Sequence, residues 1–289
     1  MHPHDAAMLF IEGNTMSFIQ EASGLTYGTD EGELIFGSDS SLVRARGGND
    51  GLRLGDYSDI AHLGDGNDVA YSGDGSDAIL GENGDDLIHG GAGSDWLAGG
   101  EGNDMLRGGE GNDQLLGGPG DDILVAIFGD KSGDNTLYGD TGNDMLHGGT
   151  GQDVIFGGEG DDIIFASADD DWLHGGTGDD QIQGESGDDI IFGSADEDGQ
   201  PTEGSSTKIF YIGDDGNDEI HDFAAANDQI IVATNINDTD IESLSDLAGR
   251  VTDADEGTAV ELGEQTQIMM IGVAADDINA NMADYFTIA

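Results

Sequence analysis

The chain has 289 residues, with 62 Asp and Glu against 7 Lys and Arg, a formal net charge of -55, and 51 Gly. Such a charge makes a compact state self-repelling unless cations neutralise it, and it argues against nucleic acid and anionic membrane surfaces as partners. Cys is absent, which excludes a disulfide scaffold and a Cys-based zinc site.

At the N-terminus, Met1–Asp5 carries no basic run, and the apolar run Ala6–Ile11 is short beside the ~7–15 residues of a signal-peptide core. Export would therefore need a signal elsewhere. No stretch approaches the ~20 apolar residues of a membrane span. The apolar runs Met8–Glu12 and Thr15–Ile19 flank Gly13-Asn14, which reads as a hairpin. Residues 1–27 are thus expected to cap the open N-terminal end of a stack of repeats.

The repeats have a nine-residue period, Gly-Gly-x-Gly-x-Asp-x-U-x, with U a large aliphatic residue. Gly99–Arg107 and Gly108–Leu116 are clean copies. Residues 45–125 divide into nine such frames and residues 130–192 into seven, with a break at Ala126–Gly129 and one isolated copy at 213–221. Position six is Asp in 16 of the 17 frames, with Asn135 the exception. Position four is Gly in 15, Tyr57 and Asp169 departing, and position eight is Leu or Ile in 15, Ala61 and Ala70 departing. Low aromatic content and acidity alone would suggest disorder. Acids held in register with Gly and aliphatic residues argue against it. Residues 28–44, with Leu34, Ile35 and Val43 near the apolar slots, read as atypical end copies.

The six Gly-rich residues of each frame suit a tight turn, and the last three a short strand whose middle side chain points inward. Leu97, Leu106, Leu115 and Leu124 would then stack into a thin core. Two frames make one coil, so residues 18 apart are neighbours. Position-six carboxylates line up along two edges, Asp77, Asp95 and Asp113 on one, Asp68, Asp86, Asp104 and Asp122 on the other. Carboxylates ~4.8 Å apart, one strand spacing, need cations. Hard oxygen donors in a flexible setting suit Ca²⁺ better than Mg²⁺, and Zn²⁺ would want His or Cys. His62, His89, His147 and His174 sit at position nine, pointing outward, and read as surface residues.

The repeat resembles that of the RTX family, the Ca²⁺-binding parallel β-roll of bacterial secreted proteins. The resemblance covers roughly residues 28–221. It implies an all-β fold, a parallel β-roll (a right-handed β-solenoid of nonapeptide repeats) over 28–201 with a small β-rich C-terminal cap over 202–289. It also implies ions shared between turns two frames apart, (9−2)+(7−2), about a dozen, held by turn carbonyls and by Asp59, Asp68, Asp77, Asp86, Asp95, Asp104, Asp113, Asp122, Asp144, Asp153, Asp162, Asp171, Asp180, Asp189 and Asp218. Asn135, Tyr57 and Asp169 put their own sites in question.

After Pro201 Gly thins out, and β-prone runs appear at Lys208–Ile212, Gln229–Val232 and Gln267–Ile271. Asp240–Leu244 reads as a short helix capped by Asp238 or Asp240. The segment Gly216–Phe223 with Asp228-Gln229-Ile230 resembles the stretch that closes RTX rolls. Ile268–Val273 and Asp284-Tyr285-Phe286 resemble the C-terminal signal of type I secretion substrates, which implies secretion to the extracellular space without an N-terminal signal peptide and the type I machinery as a partner.

No His-Glu-x-x-His helix, Gly-x-Ser-x-Gly elbow or P-loop occurs. Acid pairs such as Asp85-Asp86 and Asp161-Asp162 recur at positions five and six, so the repeat explains them without a glycosidase. The expected protein is no enzyme. It is a secreted Ca²⁺-binding protein with a structural or adhesive role; the alternative is an accessory module for a separate protease, lipase or alginate epimerase. In the second run of repeats, outward positions carry Tyr138, Phe156, Trp172 and Phe192. An apolar stripe on a solvent face marks a contact surface, to be covered by the C-terminal region or by a second copy of the chain.

Overall fold

The computed structural model describes residues 10–11, 14–15, 17–20, 24–37, 41–127, 133–193, 205–211, 216–224, 227–234, 241–255, 257–263 and 266–289. It divides into two compact units, 1–136 and 137–289. Each is a β-solenoid of two parallel sheets, the chain passing from one sheet to the other at every turn.

In the first unit one sheet contains Ser41–Gly47, Ile60–Asp65, Ala78–Asn83, Trp96–Glu101 and Gln114–Pro119, and the other Glu33–Phe36, Gly51–Arg53, Val69–Asp74, Leu87–Ala92, Met105–Glu110 and Ile123–Ile127. Partners are 18 residues apart: Ile79 pairs with Leu97, and Ile88 with Leu106. Position-eight side chains point into the gap between sheets, and Ile79, Ile88, Leu97, Leu106, Leu115 and Leu124 are fully buried. Ile35 and Val43, from the atypical copies, continue the same stack.

The strands are longer than the three residues the sequence suggests. Leu87–Ala92 runs through positions seven to nine and on into one to three of the next frame, and pairing persists there, Gly91 with Gly109 and Ala92 with Glu110. Position two makes this possible by taking a left-handed backbone. At Gly100 φ is +117°, and a Cβ would run into the Glu82 carbonyl of the coil below. The chain ahead of the solenoid shows an antiparallel pair, Phe10–Ile11 with Asn14–Thr15. Ser17–Gln20 is not part of that hairpin; it pairs in parallel with Glu33–Phe36.

In the second unit the 18-residue step holds through Trp172 with Ile190, then widens where the repeats stop. Gln181 pairs with Lys208 and Ile190 with Glu219. The β-prone runs enter the sheets: Ser206–Tyr211 and Gln229–Val232 in one, Gln267–Ile271 in the other. Phe286–Ile288 pairs with Gln229–Val232, and Gly257–Glu261 and Val251–Asp253 finish the other sheet antiparallel. The helix expected at 240–244 lies at Leu244–Leu247 instead. Its first residue follows Ser243, whose N–H and hydroxyl both bond Asp246 Oδ2 at 2.9 and 2.8 Å. Asp238 and Asp240 lie outside the described residues.

Candidate metal centre: a ladder of buried carboxylates

Position-six aspartates are nearly all buried although they are charged groups. Asp59, Asp68, Asp77, Asp86, Asp95, Asp104, Asp113, Asp122, Asp144, Asp153, Asp162, Asp171, Asp180, Asp189 and Asp218 are each at most 3 % exposed. The coil brings them together along edges, as the 18-residue spacing requires. The N–H of Asp68 donates to Asp86 Oδ1 at 2.7 Å, that of Asp86 to Asp104 and that of Asp104 to Asp122 at the same distance. On the other edge Asp59 donates to Asp77, Asp77 to Asp95 and Asp95 to Asp113, at 2.7 to 2.9 Å. The second unit repeats this, Asp144 to Asp162 to Asp180 and Asp153 to Asp171 to Asp189 to Asp218, at 2.7 to 3.0 Å.

Each rung uses one carboxylate oxygen. The other, Oδ2, is buried and accepts no hydrogen bond at Asp68, Asp77, Asp86, Asp95, Asp104, Asp113, Asp162, Asp171 and Asp180. At Asp86, Asp95, Asp104, Asp113, Asp162 and Asp180 it faces the Gly that opens the same frame, whereas the frames of Asp68, Asp77 and Asp171 open on Leu63, Ser72 and Ala166. A Cβ on Gly81 would overlap both Asp86 Oδ2 and the Gly99 carbonyl oxygen, and one on Gly157 would overlap Asp162 Oδ2 and the Gly175 oxygen. These are oxygen-lined cradles that only a Gly leaves open. Among the described residues no three His, Asp or Glu side chains gather as a metal cluster. The donors are instead a carboxylate and backbone carbonyls of successive coils, the mixture Ca²⁺ accepts.

Burial is unfavourable to the ionised form, and the like charges along each edge add to it. Burial pushes the carboxyls of Asp86 and Asp95 up to about 7, with Asp68 and Asp104 beside the first and Asp113 and Asp77 beside the second; the backbone N–H on each opposes the shift. Asp162 is pushed to about 8 and Asp171 to about 9 by burial and by their ladder neighbours. An unpaired oxygen of that kind is what a divalent cation satisfies. The family model described as the RTX calcium-binding nonapeptide repeat matches residues 54–88, 89–124, 131–164 and 165–199.

The chain is an RTX repeat protein. Its roll binds Ca²⁺, and RTX repeats are typical of extracellular secreted bacterial proteins and are generally non-catalytic. No curated protein matches the chain. A solved structure, described as the extracellular lipase LipA from Serratia marcescens, is similar at 17 % identity with a TM-score of 0.27. The match covers 94 % of this chain and 42 % of the lipase. So loose a likeness carries no argument about activity.

Four positions complete the RTX ladder beyond the expected aspartates. Asp50 fills position six of the frame 45–53, and its N–H donates to Asp68 Oδ1 at 2.6 Å. At the first coil Glu33 stands in for Asp. It is buried, and the Thr29 N–H donates to both its oxygens at 3.0 Å. Past the repeats Asp228 takes the Thr207 N–H on Oδ1 and the Ala224 N–H on Oδ2, at 2.9 and 2.7 Å. Asn135 keeps the rung, accepting the Asp113 N–H at 2.9 Å, but its Nδ2 donates to the Gly133 carbonyl where a carboxylate would offer its second oxygen. Asp169, at position four, simply adopts the Gly backbone with φ +76°. Tyr57 is exposed.

The position-nine His residues stay off the ladder. His62 meets Glu82 at 3.0 Å and His147 meets Ser167 Oγ at 2.9 Å. The aromatic stripe is a stack along one sheet. Tyr138 and Phe156 lie 4.9 Å apart, Phe156 and Trp172 4.9 Å, Trp172 and Phe192 5.1 Å, and Phe192 and His221 4.7 Å. All are half-buried, because each ring covers the next. The strands Asn217–His221 and Gln267–Ile271 prolong that sheet past Phe192 edge to edge. Among the described residues no helix is long and apolar enough to cross a membrane.

Proposed function

We propose that this is a secreted, non-enzymatic protein whose roll folds on binding Ca²⁺ outside the cell and then serves a structural or adhesive role. The observation that carries the reading is the row of buried, unpaired Asp Oδ2 atoms facing Gly cradles. In a low-Ca²⁺ cytosol those carboxylates repel and the charge of -55 keeps the chain open. Extracellular Ca²⁺ modules are tuned to ~10⁻⁴–10⁻³ M, so the ions stabilise the roll after export. Metal-binding roles fall to the Asp ladder, with turn carbonyls completing each site. The ion supplies charge neutralisation and cross-links successive coils.

Export runs through the C-terminal region by a type I system, with 202–289 as signal and cap. The test is co-expression with a type I transporter. Full-length chain should reach the medium and a chain ending at residue 201 should stay inside; equal export of both would refute the route. Retention on cells or polysaccharide in Ca²⁺, lost in chelator, supports the adhesive role. A second copy docking on the Tyr138–Phe192 stripe would show as a dimer by sedimentation that Phe156→Ser weakens.

A further inference from the structure

The outer face of one first-unit sheet has a notch. Position seven carries a side chain in 16 of the 17 frames; only in the frame 45–53 is it Gly, at Gly51. Gly51 pairs with Leu34 on one side and Val69 on the other, and two residues on, Arg53 lies between Phe36 and Tyr71. Leu34 and Val69 thus stand two strand spacings apart, ~9–10 Å, with only the Gly51 backbone between their own backbones. The result is an open cavity of about 390 Å³ whose walls include these six residues. That size falls within the ~300–1,000 Å³ of small-molecule sites.

Its rim carries charge of the rarer sign. Arg53 is one of 7 basic residues against 62 acidic ones. It is exposed, and among the described residues no carboxylate pairs with it. Asp50 borders the notch, but its carboxylate turns into the ladder, where Oδ1 accepts the Glu33 N–H at 2.7 Å and the residue is 3 % exposed. Acids elsewhere on the surface are screened over ~8 Å in physiological salt, so the unpaired guanidinium sets the local charge. Phe36 and Tyr71 stay 38 % and 48 % exposed beside it, and His89 lies against Tyr71 with ring centroids 5.8 Å apart.

We propose that this notch binds a small carboxylate carrying an aromatic ring. The ring enters between Leu34 and Val69 over Gly51, where the aliphatic walls remove it from water. The carboxylate takes the Arg53 fork in two parallel N–H···O bonds. Gly51 and Arg53 are two residues apart on one strand, ~6.6 Å, the reach of a two-carbon linker between ring and carboxylate. Phe36 and Tyr71 offer the ligand ring an edge-to-face contact. A cationic ligand is repelled by Arg53, and a neutral one leaves it without a partner. The site lies on the solvent face, apart from the carboxylate ladder.

The test is isothermal titration of the full-length, Ca²⁺-loaded chain with 3-phenylpropionate, with circular dichroism as a check on folding. Wild type should bind one equivalent. The alcohol 3-phenylpropan-1-ol should bind about tenfold more weakly or worse, since it cannot form the charged pair with the guanidinium. Arg53→Gln should weaken binding of the acid by a similar factor. Gly51→Val fills the slot by displacing only the tip of the Leu34 side chain and should abolish binding. No binding by wild type, or equal binding by wild type and Arg53→Gln, would overturn the site. If Gly51→Val does not fold, the Arg53→Gln titration decides alone.

Discussion

The backbone N–H of Asp86 donates to Oδ1 of Asp104, 2.7 Å away in the next coil, and leaves the other oxygen of Asp104 buried and unbonded. One side chain thus does two jobs, closing a coil-to-coil hydrogen bond and offering a metal donor. The two can be separated by substitution.

Asp104→Asn should keep the first job and lose the second, as Asn135 does for Asp113. The variant is expected to bind one Ca²⁺ fewer and to be no less stable than wild type in chelator. Asp104→Ala also leaves the Asp86 N–H buried without a partner, which costs about 1–3 kcal/mol. Denaturant unfolding of the two variants, with and without Ca²⁺, reads the difference.

Raised carboxyl values set a pH dependence of definite sign. Without divalent cations the folded roll holds protons on Asp86, Asp95, Asp162 and Asp171 up to about 7, 7, 8 and 9. The unfolded chain releases them near ~3.9. Between those limits the folded state binds more protons, so metal-free stability falls as pH rises. In chelator, strand signal should be greater at pH 5 than at pH 8. Ca²⁺ competes with the same protons, so its half-saturation should shift to higher concentration on acidification.

Left-handed position two separates Gly from other residues. Asp140 sits there with φ +73°. Asp140→Gly should raise stability by about 1 kcal/mol, the cost of holding a non-Gly residue in that region. Gly100→Ala should do the reverse and cost more, because its methyl also meets the Glu82 carbonyl. Melting temperatures in saturating Ca²⁺ check both.

The ring stack should act as a unit. Phe156 lies 4.9 Å from both Tyr138 and Trp172. Phe156→Ala removes both contacts and is expected to destabilise the second unit by about 1–3 kcal/mol. Trp172 fluorescence in a Trp96→Phe background follows the unfolding.

Much of the roll is legible in the sequence because three fixed positions repeat. Asp at six, Gly at four and an aliphatic at eight specify the coil, its 18-residue register and both carboxylate edges. Irregular positions are not legible. Glu33 lies in a degenerate copy and Asp228 past the repeats, and their roles come from backbone amides, Thr29 and Ala224, that sequence spacing does not reveal. Strand length is hidden because Gly at positions one and two reads as turn, whereas a left-handed residue inside a parallel ladder keeps pairing. The helix at Leu244–Leu247 starts later than its sequence suggests because Asp238 and Asp240 look like caps, while Ser243 with Asp246 is the pair that closes on itself.

The most direct test is far-ultraviolet circular dichroism during a Ca²⁺ titration at pH 8. Strand signal should be largely absent in excess chelator and rise cooperatively through ~10⁻⁴–10⁻³ M Ca²⁺. A full strand signal in chelator that Ca²⁺ does not change would contradict coupled folding and binding.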